Sequence, residues 1–321
     1  MPRSSLVLAA GLLLALAAPP LAAQQYPSRP IRVVVPYPAG GVIDVVSRTM
    51  TERLAPVMGQ PVVVENRPGG HTVIATELVL GSAPDGHTWF IAPPAFATNV
   101  ALLPLRYDPL RDFLPVARFA LSADIFVVPA TLGVKDVAEY VRLVKAKPGA
   151  HNFGIPGIGG AAHIAFEQFK RAAALDLTGI PYQGAPPIIP DLINNQLSSA
   201  FLPGVVSVPQ VKAGKINALA VIAQKRQATL PDVPTIAEAG YPAVQATLWI
   251  GVVVPAKTPR EVQRRAAADI QTAVASPETQ ARLGSVGAEA AYLGPEAFEA
   301  FIRQEIETSA KVVKDAGIKV Q

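Results

Sequence analysis

A chain of 321 residues, half of them apolar and none a cysteine, has the length of two ordinary domains. It excludes disulfides, thiolate metal sites, iron–sulfur clusters, a cysteine nucleophile and a lipid anchor on cysteine. A formal charge of +4 is too small and scattered for a nucleic-acid surface, and charged residues at 16% argue against disorder. In chain order, residues 1–23 carry Arg3, an apolar run over 6–18 and the break Pro19-Pro20-Leu21-Ala22-Ala23, the three-part pattern of a secretory signal peptide. The run is shorter than the ~20 residues of a spanning helix. The mature chain, from Gln24, is expected to be soluble and periplasmic. Export argues against reactions drawing on cytoplasmic ATP or NAD.

The β-branched run 31–35 predicts a buried strand, 36–41 a Gly-rich loop, and the spacing of Val42, Val45, Val46, Met50 and Leu54 a helix. A strand over 61–65, a turn at 66–70, a helix over 72–80 and a strand over 87–92 follow. The alternation resumes with strands at 124–128, 151–155, 178–182, 198–202 and 216–222. Helical segments are read at 134–145, 161–174 and, by the same alternation, 188–194 and 205–213. The Pro-rich stretch 231–242 reads as a connection between domains, followed by a strand at 247–254 and helices at 259–275 and 295–316. Repeated β-loop-α units with short connections predict an α/β fold of parallel strands covered by helices on both faces.

Two loops share one design: a strand ends, paired glycines turn the backbone, and a helix begins. They are 36–44, with Pro38, Gly40, Gly41, Val42 and Asp44, and 156–163, with Gly157, Gly159, Gly160, Ala161 and His163. Free N–H groups and the helix dipole make each start an anion site. Facing each other, the two could grip one anion from both sides. Lys and Arg are absent from these loops and from 92–99, 182–190 and 201–210, which hold Ala95 and Phe96, Gln183 and Gly184, and Phe201 and Pro203. A site lined by these segments holds negative charge through backbone amides, which favours a small carboxylate over a polyphosphate. Asp44 fits a general base or a cap for its own helix.

Other chemistries find weak support. Gly157-x-Gly159-x-x-Ala162 fits the dinucleotide fingerprint formally, but Pro156 interrupts the strand before it. His163 and Glu167 are four apart on one predicted helix, two metal ligands at most. Gly-x-Ser-x-Gly is absent, so a hydrolase triad is unsupported. No cofactor, metal or catalytic residue is expected.

Tyr26-Pro27-Ser28-Arg29-Pro30-Ile31-Arg32 and the loop 36–44 resemble the opening of mature Bug proteins, the TctC-family solute receptors of tripartite tricarboxylate transporters. The similarity continues through Val64-Glu65-Asn66-Arg67-Pro68-Gly69, Ala83-Pro84-Asp85-Gly86 and Tyr107-Asp108-Pro109-Leu110-Arg111-Asp112-Phe113. It runs on through Pro181-Tyr182-Gln183-Gly184, Lys212-Ala213-Gly214-Lys215, Leu230-Pro231-Asp232-Val233-Pro234-Thr235 and Val253-Val254-Pro255-Ala256-Lys257-Thr258-Pro259. The resemblance implies a type II periplasmic binding fold, with two domains closing over a small carboxylate held by backbone amides and waters at the two Gly loops. It implies domain 1 over 24–123 plus 246–321 and domain 2 over 124–245, a monomer, and a membrane permease as partner. A two-component sensor kinase is the alternative partner, and a periplasmic hydrolase the more distant alternative.

Departures from the family pattern bear on the ligand. Two Ser positions of its second loop read Ile155 and Gly160, a Thr before Asp44 reads Ile43, and the second Gly after the Tyr-x-Gly turn reads Ala185. The segment after the third strand reads Ala92-Pro93-Pro94-Ala95-Phe96 in place of Thr, Ser and His. Each change removes a polar group or adds apolar bulk, so the expected ligand is a less polar acid, aromatic or aliphatic, rather than citrate or aspartate.

Overall fold

The computed structural model describes residues 26–227, 229–245 and 247–318. The expected signal peptide, the mature start at Gln24 and the domain limit at Ala246 lie outside the described residues.

Strand β1 (Ile31–Val35) is paired on both sides, parallel to β2 (Val62–Asn66) and β3 (Thr88–Ala92). Buried on both faces, such a strand is expected to be a continuous β-branched run, as IRVVV nearly is. Helix α1 (Val42–Met58) follows β1 and buries Val46, Met50 and Leu54 against one face of the sheet. It stops at Gly59, whose φ of 69° and N–H bond to the Ala55 carbonyl form a left-handed cap. Helices α2 (Val73–Leu80) and α3 (Pro94–Leu102) cover the other face, over a core of Phe90, Phe96 and Phe113.

Strand β4 (Phe113–Ser122) leads through Ala123 alone into β5 (Asp124–Pro129), the first strand of a second sheet. There α4 (Val137–Ala146), β6 (Asn152–Ile155), α5 (Ala161–Ala172), β7 (Thr178–Pro181), α6 (Ile188–Ile193), β8 (Ser199–Pro203), α7 (Gly204–Lys212) and β9 (Ile216–Ile222) follow in turn. The chain returns to the first sheet as β10 (Leu248–Pro255), then α8 (Arg260–Ala275), α9 (Pro277–Ser285), β11 (Ala288–Leu293) and α10 (Pro295–Ala316).

The sheet orders are β11-β4-β10-β3-β1-β2 and β7-β6-β8-β5-β9. Apart from β11 the two are equivalent: β2-β1-β3-β10-β4 matches β7-β6-β8-β5-β9. In each, the fourth strand arrives directly from the other sheet and runs antiparallel to its neighbours. The parallel strands expected from the β-loop-α alternation are β1, β2 and β3 in one sheet and β6, β7 and β8 in the other, and the antiparallel strands are added to them. A strand entering without a crossover helix is free of the constraint that makes βαβ strands parallel.

The segment 231–242 is no free connection. Val221 and the 234–236 segment exchange backbone bonds, and Ile236 is buried in the second sheet's core. Four elements went unpredicted. In α3 the Pro93-Pro94 pair hides a helix start, since Pro is tolerated in the first turn. In β4 two register shifts break the alternation. The helix-like composition of β11 is overruled by pairing with β4, and α9 starts directly after α8.

Candidate ligand-binding cleft

The loop after β1 carries Gly40 at φ 81°, a conformation glycine adopts without the steric cost of a Cβ. Its N–H donates to Asp44 Oδ2 at 2.9 Å, four residues on in the first turn of α1. The same carboxylate accepts from Arg48 Nε at 3.0 Å and from Asn66 Nδ2 at 2.8 Å. Asn66 Nδ2 also donates to the Tyr37 carbonyl, which ties β2's end to the loop. Burial alone would raise the Asp44 pKa, but the bonds from Arg48, Gly40 and Asn66 outweigh it and hold the carboxyl below its usual range. Asp44 is therefore a brace whose acceptors are engaged. Arg48, nearby, spends its guanidinium on Asp44 and Asn66. Gly41 starts α1 without a side-chain cap, which leaves the Val42 and Ile43 amides open to a ligand.

The loop after β6 repeats this plan. Gly159 has φ 75° and its N–H donates to His163 Nδ1 at 3.1 Å, again four residues on. Accepting there, the imidazole carries its proton on Nε2. Burial, with help from Lys170, lowers its pKa to about 4, so it stays neutral. Gly160 starts α5 without a side-chain cap, and the Ala161 and Ala162 amides are open. The turn at Gln183 and Gly184 supports the loop from beneath: Gly184 N–H reaches the Pro156 carbonyl at 3.0 Å and Tyr182 N–H the Ile155 carbonyl at 2.8 Å.

The second loop lies against the first sheet's body. Ala161 is buried in the core on the α1 face of sheet one. A Cβ on Gly159 would stand 2.5 Å from Leu102 Cδ1 and 3.7 Å from Thr98 Cγ2, both on α3. The Arg171–Asp315 ion pair, at 2.6 Å, joins α5 to α10.

The other expected site residues divide. Pro38, Gly40 and Gln183 are exposed, and Gly41, Val42, Gly157, Gly160 and Gly184 half-buried, at the loops. Ala95 is buried in the first turn of α3, and Pro203 is buried at the end of β8. Phe96 and Phe201 are corrections: both are core residues. Phe96 packs on Phe90, Phe113 and Tyr107, and Phe201 on Phe126 and Phe153, where a large apolar ring gains most from burial. The possible metal pair is engaged otherwise: His163 Nδ1 accepts from Gly159 and Glu167 pairs with Lys170. Among the described residues no group of three His, Cys, Asp or Glu is arranged for a metal ion. The sequence reading missed Arg48 and Asn66 as braces and α3 as the surface meeting Gly159. The turn after β2 was the one available signal for Asn66.

The family model described as the tripartite tricarboxylate transporter family receptor matches residues 46–318. The chain belongs to this family. Its members are solute-binding receptors, so the hydrolase and dinucleotide-enzyme readings fall away. A relative from Pseudomonas sp. (strain P51), a UPF0065 protein in the tcbD-tcbE intergenic region, is 34% identical over 95% of this chain and 92% of its own. R. palustris Rpa4515, solved with adipate, is 32% identical with a TM-score of 0.84, covering 92% of this chain and 99% of that one. MatC (Rpa3494) from Rhodopseudomonas palustris, solved with malate, is 30% identical with a TM-score of 0.78, covering 90% of this chain and 100% of that one.

Proposed function

We propose that this receptor captures a small carboxylate between its two sheets in the periplasm and delivers it, as a monomer, to the membrane permease of a tripartite tricarboxylate transporter. The observation that carries the reading is the duplicated brace. In each sheet a left-handed glycine gives its N–H to a side chain four residues on, and the next two helix amides are left without acceptors. The brace spends the Asp44 and His163 acceptors on the loops themselves, so what the loops offer outward is donors. Charge-assisted bonds contribute about 1.5–3 kcal/mol each, so a few of them with some apolar burial reach the ~8 kcal/mol of a micromolar complex. Carboxylates bound by two similar receptors, adipate and malate, agree with this class. No helix among the described residues is long and apolar enough to cross a membrane, and residues 1–23 serve as the export signal in this reading.

The domains in this reading are 24–123 with 246–321, and 124–245. They swing about the two passages of chain between the sheets, one at Ala123 and one between β9 and β10. Of the apolar departures, Ile43 and Ile155 are buried in the two cores, and Ala185, half-buried beside Gly184, is the one that favours a less polar acid. A thermal-shift panel of aromatic, aliphatic, di- and tricarboxylic acids tests this. Benzoate-like or aliphatic acids should give the largest shifts, while a shift with citrate or malate alone would discard the apolar pocket and keep the carboxylate class.

A further inference from the structure

We propose that Asp124 makes closure of the cleft proton-linked: opening about the Ala123 passage hydrates its carboxylate and lets it ionise, and closing requires it to take up a proton from solvent. This rests on the closing-receptor reading above. Asp124 is the first residue of β5, where the chain enters the second sheet. Hinge motion concentrates at such element-terminal positions. The residue pairs with Pro203, at the end of β8, and with Ile222, at the end of β9. It therefore sits at the end of the sheet where β6 and β8 finish and the 156–160 loop begins. It shares a face with Phe126, two residues on, which packs against Phe169 of α5. The side chain is 3% exposed, and its Oδ1 has no hydrogen-bond partner among the described residues. An ionised carboxylate without partners is costly in such a place, and the neutral form is the one that fits.

Among the described residues no ion pair or hydrogen bond to its carboxylate is formed. On α4, which packs on the same Phe126, Tyr140 bonds Ser199, Glu139 pairs with Arg142, Asp136 caps the helix, Lys135 precedes it and Lys145 stands in its last turn. β8 and β9 carry no titratable side chain. On α6, Asp191 accepts from Tyr182. On α5, His163 is bound to Gly159, Glu167 to Lys170, and Arg171 to Asp315. Lys212 stands at the far end of α7, and in the 223–245 segment Lys225 pairs with Glu289 and Arg226 with Glu238. Asp232 and Tyr241 complete that segment. Burial alone raises the Asp124 pKa to about 7. Once hydrated, the group returns towards ~3.9. Closure is then fully favoured below that ordinary value, weakens as pH rises through the window up to about 7, and levels off above it.

The test measures dissociation constants for benzoate and adipate from about pH 5 to about pH 8.5, in the wild type and in Asp124→Asn. Melting curves establish that the variant is folded. Expected is an affinity that falls by up to about tenfold per pH unit towards pH 7 in the wild type and is flat in the variant. An equal slope in both proteins, or none in the wild type, overturns the proposal. If neither acid binds at any pH, the ligand class is what fails, and the ligand-free protein decides by small-angle scattering. A larger radius of gyration at about pH 8 than at about pH 5.5, abolished by Asp124→Asn, supports the hinge carboxyl; equal radii overturn it.

Discussion

Asp44 and His163 do the same work with different chemistry. Each accepts the N–H of a glycine that turns at positive φ, and each is followed by a helix start without a side-chain cap. Replacing His163 strands the buried Gly159 N–H, a cost of about 1–3 kcal/mol, while replacing Asp44 frees the exposed Gly40 N–H to turn to water and instead releases Arg48 and Asn66. Asp44→Ala and His163→Ala should each weaken ligand binding by roughly one order of magnitude or more, read by calorimetry, with a smaller loss in melting temperature. Wild-type affinity in both variants would show that the braces do not shape the site. The pH response separates them. The His163 pKa is lowered to about 4, so its share of stability is intact above the ordinary histidine value and is lost as pH falls from there through about 4. Asp44, held below the usual carboxylate range, keeps its share until more acid conditions.

At the scale of elements, two glycines record where bodies press together. Gly159 meets α3, and Ala there would combine a left-handed Cβ, costing about 1–2 kcal/mol, with a 2.5 Å approach to Leu102 Cδ1. Gly159→Ala should lower affinity roughly 5–30-fold, and adding Leu102→Ala should recover the clash but not the backbone strain. A fully restored double variant would show that backbone strain contributes nothing. Gly251, in β10, lies under α10: a Cβ there would stand 2.3 Å from Phe298 Cζ and 2.9 Å from the Ala117 carbonyl. Because Phe298 is fully buried and the second contact is backbone, Gly251→Ala should destabilise by about 1–3 kcal/mol or more, measured by denaturant unfolding. An unchanged midpoint would contradict the packing of α10 on β10. Elements with one dominant local signal were legible from sequence. β1 is a β-branched run, α1 has helical spacing, and the Gly40-Gly41 and Gly159-Gly160 loops mark strand-to-helix turns. The elements that stayed hidden draw their form from partners far along the chain, as β4 does from β10 and β11, and β11 from β4.

At the scale of the whole molecule, the two sheets are variations on one five-strand plan, exchanging a strand at each passage of the chain. No local pattern announces that β5 and β10 pair outside the run that precedes them; the exchange entered the sequence reading only through the family resemblance, which implied domains over 24–123 with 246–321 and over 124–245. The Gly loops were legible because their chemistry is local. Phe96 and Phe201 misled because an aromatic beside a candidate loop reads equally as ligand platform or core, and only packing decides. A ligand that bridges the two loops contacts both bodies and favours the closed arrangement. At 100 times its dissociation constant it should add about 2.7 kcal/mol of stability. The most direct test follows backbone amide resonances while the mature protein is titrated with the acid giving the largest thermal shift. The Val42 and Ile43 amides of α1 and the Ala161 and Ala162 amides of α5 are predicted to move downfield together, with one shared dissociation constant. Shifts confined to one loop, or to neither, would contradict a carboxylate held between the two helix starts.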